Sequence, residues 1–208
     1  MPSASNASKP AVRPVDDADW AGFRSVMGRA FADDPVMEFV ISAPPPLQPR
    51  AGILCTTIAR AHAADGSTFA AVDGSTGEIL GGASWAAPGH WRVPIRHFLR
   101  SAPTLLRAIG VRSVRRLPTM EAIERNHPSE PHYYLALIGT DPRHQGRGVG
   151  SALMEPMIDR CDEEGVPAYL ESSKQQNLAF YHRFGFELTR TLTLKKGPTM
   201  YLMWRRPR

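Results

Sequence analysis

Residues 141 to 151 read Asp-Pro-Arg-His-Gln-Gly-Arg-Gly-Val-Gly-Ser, with glycine at positions 146, 148 and 150. Glycines this close together let the backbone curl so that successive amide N–H groups converge. A helix predicted from Gly148 adds its unpaired first-turn N–H groups and the positive end of its dipole. The chemistry this turn supports is the seating of an anion, with backbone donors from Gly146 to Ser151 and added charge from Arg143 and Arg147. Two common phosphate loops fit less well. A triphosphate loop needs lysine and then serine or threonine after its last glycine, where Ser151-Ala152 stands. A dinucleotide fingerprint needs glycine at Ser151, although Glu171 lies about twenty residues on, where the ribose-binding acid of that fingerprint would fall. An ordinary tight strand-to-helix connection is the remaining reading, and it seldom calls for three glycines bracketing an arginine.

Such a turn needs a strand before it and a helix after it. Tyr133 to Thr140 is a short apolar run of strand length, and Gly148 to Glu164 has helical patterning closed by Gly165. Ala168 to Glu171 reads as a second strand and Asn177 to Phe184 as a helix ended by Gly185. This order predicts two neighbouring parallel strands with a right-handed crossover and a ligand at their carboxyl ends. Upstream, Ala11 to Val15 reads as a strand, and Asp16 or Asp17 as the cap of a helix over Trp20 to Phe31. Helical pieces follow at Val36 to Ile41 and Leu47 to Ala64, separated by the break at 43–46. Thr68 to Asp73 and Glu78 to Trp85 form a predicted hairpin, with Gly81 and Gly82 as a candidate bulge. Ala87 to Pro131 is a proline-punctuated, arginine-rich helical insertion, and Phe186 to Leu194 with Thr199 to Trp204 close the sheet.

Gln145-x-x-Gly148-x-Gly150 resembles the pattern Q/R-x-x-G-x-G/A with which GNAT acetyltransferases seat the pyrophosphate of coenzyme A. Ile138-Gly139-Thr140-Asp141-Pro142 looks like that family's fourth-strand ending, and Asn177 to Phe186 resembles its second cofactor motif. Within the family, Tyr133 to Pro207 looks most similar to the puromycin N-acetyltransferase branch, as does Ala30 to Pro35. The resemblance implies an α/β GNAT fold, a mixed central sheet whose parallel fourth and fifth strands splay to admit acetyl-CoA. It implies an N-acetyltransferase that moves acetyl from this cosubstrate to the amine of a small molecule, such as an antibiotic or polyamine, by direct attack in a ternary complex. The implied cofactor-binding residues are Ile138, Gly139, Thr140, Gln145, Gly146, Arg147, Gly148, Val149, Gly150, Ser151 and Asn177, with a main-chain N–H near Gly139 or Thr140 polarising the thioester carbonyl.

Two implied catalytic residues follow. Glu171, at the end of its strand, would accept the amine proton directly or through water; its structural alternative is to cap the helix after Ser172-Ser173. Tyr181 would act as general acid, since a phenol of pKa about 10 stays protonated at neutral pH. Its alternative is a core tyrosine beside Phe180 and Phe184. Asn177 shares a helical face with Tyr181, but the commonest family spacing places the asparagine seven residues before the tyrosine, where Lys174 stands. Asn177 therefore either caps its helix or touches pantetheine. Asp34, Glu38, Trp85, His90 and Trp91 are candidates to frame a cationic amine, each with an ordinary reading as surface charge or packing aromatic. A protein of another class, a GNAT-like sensor or scaffold that binds coenzyme A without transferring acetyl, would share the cofactor motif.

Composition narrows the field further. The 208 residues are 42% hydrophobic and 22% charged, enough for one domain over 11–208 after a disordered tail at 1–10, with 87–131 as the insertion. The net charge of +5 favours an anionic ligand, but the basic runs at Arg112–Arg116 and Arg205–Arg208 lack aromatic interleaving and read as solvated faces, so no nucleic acid is expected. No H-E-x-x-H pair, zinc-spaced cluster or G-x-S-x-G elbow occurs, so neither a metal nor a serine hydrolase is expected. Cys55 and Cys161 sit in partly apolar helical patterns that suit packed thiols. With no apolar run of membrane-spanning length and a polar beginning, the expectation is a cytoplasmic monomer or homodimer that does not engage the membrane.

Overall fold

The computed structural model describes residues 10–42, 44–63 and 67–208; most of the expected tail, residue 43 of the proline break and the end of the expected third helix lie outside them. Seven strands form one sheet: β1 (Ala11–Pro14), β2 (Thr68–Val72), β3 (Ile79–Ala86), β4 (Tyr133–Thr140), β5 (Ala168–Ser172), β6 (Glu187–Thr193) and β7 (Thr199–Arg205), in the order β1-β2-β3-β4-β5-β7-β6. Every neighbouring pair is antiparallel except β4 and β5. That exception follows from connectivity, because the helix between them (Val149–Glu164) returns the chain to the end from which β4 set out. The mixed sheet with a parallel fourth and fifth strand is the architecture expected of the GNAT fold.

Helices cover both faces, and they explain the composition of β3. Each of its eight residues is buried, the signature of a strand packed on two sides. On one side lie α1 (Trp20–Ala30) and α3 (Leu47–His62), whose Phe23, Met27, Cys55 and Ala59 form a core with Ala70 and Leu137. Across the sheet, Leu153, Met154, Met157 and Cys161 of the helix after β4 pack on Trp85, Tyr133, Leu135 and Leu170. Gly81 and Gly82 sit between these layers. A Cβ on Gly81 would come within 2.8 Å of the Val149 side chain, and one on Gly82 would strike the Phe23 ring. The register also slips here, with Ala71 opposite Gly81 and Val72 opposite Ile79, so Leu80 is the extra residue of a bulge. Both cysteines are free and buried.

The insertion consists of α4 (Ile95–Ile109), a 3-10 turn (Val111–Arg116) and α5 (Leu117–Asn126). A hydrogen bond of 2.7 Å joins His97 Nε2 to the Thr57 carbonyl, and Arg50 donates to the Arg107 and Ala108 carbonyls, tying α4 to α3. The remaining helices are α2 (Pro35–Val40), α6 (Val149–Glu164) and α7 (Leu178–His182).

Three details differ from the sequence reading. The residue at the N-cap of α1 is Asp19, not Asp16 or Asp17, and its carboxylate pairs with Arg13 at 2.5 and 2.8 Å instead of capping. Asp16 accepts from the Ala18 and Asp19 N–H groups, a local turn that competes with a cap. The expected helix from Asn177 is shorter, with a 3-10 turn over Gln175–Asn177 preceding α7. Arg205 is not part of a solvated face. Only 2% exposed, it donates to Asp162 at 2.6 Å and to the Phe184 carbonyl at 2.7 Å, so its charge is paired inside the fold.

Candidate active site

The parallel pair is short. Tyr133, Tyr134 and Leu135 pair with Ala168, Tyr169 and Leu170, and beyond them no β5 residue is paired with Ala136 to Thr140 among the described residues. The two strands diverge, as the splayed pair of the expected fold requires. Meanwhile β4 stays in register with β3 as far as Thr140. It is also pressed on α1, where a Cβ on Gly139 would lie 2.9 Å from Ala30 and 3.1 Å from Phe31. The divergence opens a cleft of about 790 Å³.

The glycine turn forms one end of this cleft. Gly146 and Gly148 adopt φ of 75° and 78°, a left-handed conformation that costs glycine little and other residues more. Gly148 occupies the N-cap of α6 and no side chain caps that helix. Its first-turn N–H groups therefore remain available to a ligand. Gln145, Gly146, Gly148, Val149, Gly150 and Ser151 all line the cleft, as do Ile138, Gly139 and Thr140 from β4 and Asn177 from across it. Arg147 is exposed and does not line it. At position 150 a Cβ would sit 3.3 Å from the Phe180 ring, so a side chain there would press on that ring.

Asp141 holds the turn in place. Fully buried, it accepts two hydrogen bonds from Arg29, at 2.8 and 2.5 Å, and others from the backbone N–H and guanidinium of Arg143. Burial alone would raise its pKa, but the hydrogen bonds from Arg143 and Arg29 outweigh that and hold it well below the ordinary carboxylate range. Arg143 is thus engaged with Asp141 and with Glu78 at 3.0 Å, and it does not line the cleft. Arg29, Lys174 and Arg183 are the cations that do. Lys174 also pairs with Asp33 at 2.6 Å. The sequence reading overlooked Arg29 and Arg183, which carry no local motif and are brought to the cleft by tertiary packing.

Tyr181, Asn177 and Ile138 also line a second, smaller cavity of about 70 Å³, bounded by Asp34, Glu171, Ser173 and the Leu135–Ile138 stretch. Tyr181 is buried, and its phenol is raised above the ordinary range, mainly by burial and further by the charge of Asp34. It is protonated at neutral pH. Asn177 stands at the N-cap of α7 but makes no side-chain cap bond. Glu171 lies outside the large cleft and its side chain is only 4% exposed. It caps no helix: the Tyr134 hydroxyl donates to Oε2 at 2.7 Å, and His127 Nδ1 lies 3.4 Å from Oε1. Burial and the Glu171 charge push the Tyr134 and Tyr169 phenols up, so both stay protonated. Tyr169 does not reach hydrogen-bonding geometry with Glu171, and its hydroxyl has no partner among the described residues.

The candidates for amine recognition separate. Trp85 is fully buried in the core, which removes it from any site. Asp34 lines the small cavity, caps α2 through the Val36 and Met37 N–H groups at 2.9 Å, and accepts from the Ser173 hydroxyl. Trp91 stacks on His127 with ring centroids 3.7 Å apart, while Glu38 and His90 are exposed. His127 and His132 had no signal in the sequence, being unmotivated residues in the loop before β4.

An N-acetyltransferase of Schizosaccharomyces pombe, itself uncharacterized, is 39% identical over 64 residues, covering 31% of this chain but only 26% of that relative. The N-alpha-acetyltransferase RimI of Mycobacterium tuberculosis is 31% identical over 119 residues, 54% of this chain and 67% of the relative. A Corynebacterium glutamicum crystal structure, described as histone acetyltransferase HPA2 and related acetyltransferase, superposes with a TM-score of 0.73 at 28% identity, over 96% of this chain and 97% of that one. The model of the acetyltransferase (GNAT) family matches residues 33–186, which span the splayed strands, the glycine turn and α7. With that match across the site just described, the chain belongs to the acetyltransferase (GNAT) family of acyltransferases, whose acetyl donor is acetyl-CoA.

Proposed function

We propose that the protein is an N-acetyltransferase that moves acetyl from acetyl-CoA to the amine of a small molecule, with both substrates bound together. The observation that carries this reading is that two cavities share Ile138, Asn177 and Tyr181 in their walls, the larger bordered by an uncapped helix end and the smaller by a buried carboxylate. In this reading residues 11–208 act as one domain, and the 87–131 insertion covers Glu171.

The residues suit coenzyme A. Backbone donors from Gly146 to Ser151 would hold its diphosphate, with Arg29, Lys174 and Arg183 supplying charge attraction. In this reading Arg147, exposed and outside the cleft lining, adds only a secondary attraction. The stretch of β4 from Ala136 to Thr140, with no partner on its β5 side, would offer main-chain groups to the pantetheine arm and an N–H to the thioester carbonyl. Asn177, facing both cavities, would touch the same arm.

Chemistry then needs a base and an acid. The amine nitrogen forms its bond to the carbonyl carbon as the carbon–sulfur bond breaks. Glu171 takes the proton that frees the nitrogen lone pair, and Tyr181 returns one to the departing thiolate. Each transfer contributes roughly 10²–10⁴-fold to such reactions. Asp34 and Glu171 place two carboxylates beside the small cavity, which favours an acceptor that arrives as a cation.

Thiol release from acetyl-CoA, screened against polyamines, agmatine, puromycin, amino acids and peptide amino termini, tests the assignment. Amine-dependent release with at least one small cationic amine is the expected result. Tight coenzyme A binding by calorimetry without release for any amine would instead favour a binding module.

A further inference from the structure

Glu171 sits at the end of a chain of three polar contacts, one more than the protons that two neutral imidazoles can place in it. His132 Nδ1 lies 2.6 Å from the Glu130 carbonyl, His132 Nε2 lies 3.0 Å from His127 Nε2, and His127 Nδ1 lies 3.4 Å from Glu171 Oε1. These three contacts each need one proton, and two neutral imidazoles supply only two. A carbonyl can only accept, so His132 must carry its proton on Nδ1. Its Nε2 is then a lone pair, which His127 satisfies by carrying its own proton on Nε2. That leaves the His127 Nδ1 lone pair facing a carboxylate oxygen.

The side chains of His127 and Glu171 are 2% and 4% exposed, so water has little access with which to relieve the mismatch. The nearest other protons belong to two phenols, and the Tyr169 hydroxyl, which has no partner among the described residues, can reach only the carboxylate and not the His127 Nδ1 lone pair's contact with it. From β4, Tyr134 is committed to Oε2; from β5, Tyr169 meets the His127 and His132 rings edge-on; Trp91 stacks on His127 and Trp204 packs on His132. Of the charged groups, Glu171 faces His127 and Glu130 influences His132 from its own loop. Burial lowers the His132 pKa, which disfavours an additional proton on that ring. The 3.4 Å gap also exceeds the roughly 2.9 Å of a relaxed N–H···O bond, leaving room to shorten.

We propose that the amine's proton is accepted by Glu171 and His127 acting as one site, completed by His132 and the Glu130 carbonyl, with His127 as its positioning residue. This inference rests on Glu171 being the base. One proton leaves the substrate ammonium: its N–H bond breaks, the electron pair stays on nitrogen as the nucleophilic lone pair, and the proton enters the Glu171 Oε1 to His127 Nδ1 contact. The chain passes from one negative charge to none, and all its contacts become hydrogen bonds. The proton returns to solvent after turnover. Glu171 can therefore remain buried and still work as a base, because its partner ring gains from the proton it takes.

Nitrogen-15 and carbon-13 NMR of the full chain tests this without relying on turnover. His132 is expected to hold its proton on Nδ1 across neutral pH. His127 is expected to hold its single proton on Nε2, with a proton-free Nδ1 toward Glu171, in the unliganded protein. A proton on His127 Nδ1 in that state, or His132 protonated on Nε2 alone, would overturn the proposal. In kinetics, His127→Phe keeps a ring against Trp91 and is expected to lower kcat about tenfold or more with the KM for acetyl-CoA unchanged. His127→Gln can still donate to Glu171 but cannot share its proton, so it should not rescue; full rescue would overturn the shared site. Full turnover by Glu171→Gln, with both histidine tautomers as expected in the unsubstituted protein, would instead remove the reading of Glu171 as base.

Discussion

Arg29 Nε and Nη2 reach the same carboxylate oxygen of Asp141, joining the last turn of α1 to the end of β4 across 112 residues of sequence. Asp141 is fully buried while Arg29 is partly exposed and lines the cleft. The pair therefore sets where the glycine turn begins and where one of the cleft's cations stands. Asp141→Asn should cost about 2 kcal/mol, less than a fully buried pair, because water can reach the released arginines. The pH dependence has a definite sign. A carboxylate with a depressed folded pKa stabilises fully above its unfolded value, near 4, and that stabilisation is lost as pH falls from there through the folded value. Urea unfolding of both proteins should thus show a gap at pH 7 that narrows at pH 3. An equal gap at both would show that Asp141 does not act through its charge.

The glycine turn makes a sharper distinction between backbone and side chain. Gly148 has φ of 78°, and a Cβ there would meet nothing within 4 Å. Gly148→Ala is therefore strained by conformation, not by crowding, at roughly 1 kcal/mol. Relaxing that strain would turn the α6 N–H groups away from their common target and weaken coenzyme A binding about tenfold, the loss of one good hydrogen bond to a charged group. Arg147→Ala, one residue earlier but outside the cleft, should leave affinity within about twofold at moderate salt. Calorimetric titration of both variants decides between backbone and arginine as the anion's main contact, and the reverse order of effects would reassign the seat to Arg147.

How much of this was visible in the sequence depended on whether the constraint was local. The run from β4 through α6 to β5 was legible because its glycines, strand length and helix-closing Gly165 all record backbone conformation at the residue itself. The parallel pairing followed from the intervening helix. Illegible parts were those set by tertiary partners. Arg205 looked like surface charge until Asp162 and the Phe184 carbonyl were placed beside it. Trp85 could be read as a pocket aromatic or as packing, and only the covering of β3 on both faces decides for packing. His127 and His132 became notable only when folding set them under Glu171, since a histidine's partners decide its chemistry.

Lys174 marks the position where the commonest family spacing places asparagine, and here it lines the cleft with its ammonium on Asp33. Its contribution to the anion's attraction is electrostatic and screened by salt. Lys174→Ala should raise the KM for acetyl-CoA by about threefold at low ionic strength, with the effect fading as salt is added and kcat unchanged. A loss of kcat that persists at high salt would instead give Lys174 a part in the chemical step.

Tyr181 offers the most direct test of the chemistry. Its ring meets Phe180 and Phe186 edge-on, with centroids 5.2 and 6.3 Å apart, so Tyr181→Phe retains the packing and removes one oxygen. Tyr181 borders both cavities, where a thiolate leaving the donor would meet it. Single-turnover rates should fall about 100-fold, close to 2.7 kcal/mol of transition-state stabilisation, with coenzyme A affinity nearly unchanged. Because burial and the Asp34 charge raise this phenol, it keeps its proton through the neutral range and should impose no alkaline loss of rate below about pH 10. A Tyr181→Phe enzyme with full single-turnover rate would hand the thiolate's proton to solvent and leave Tyr181 as packing.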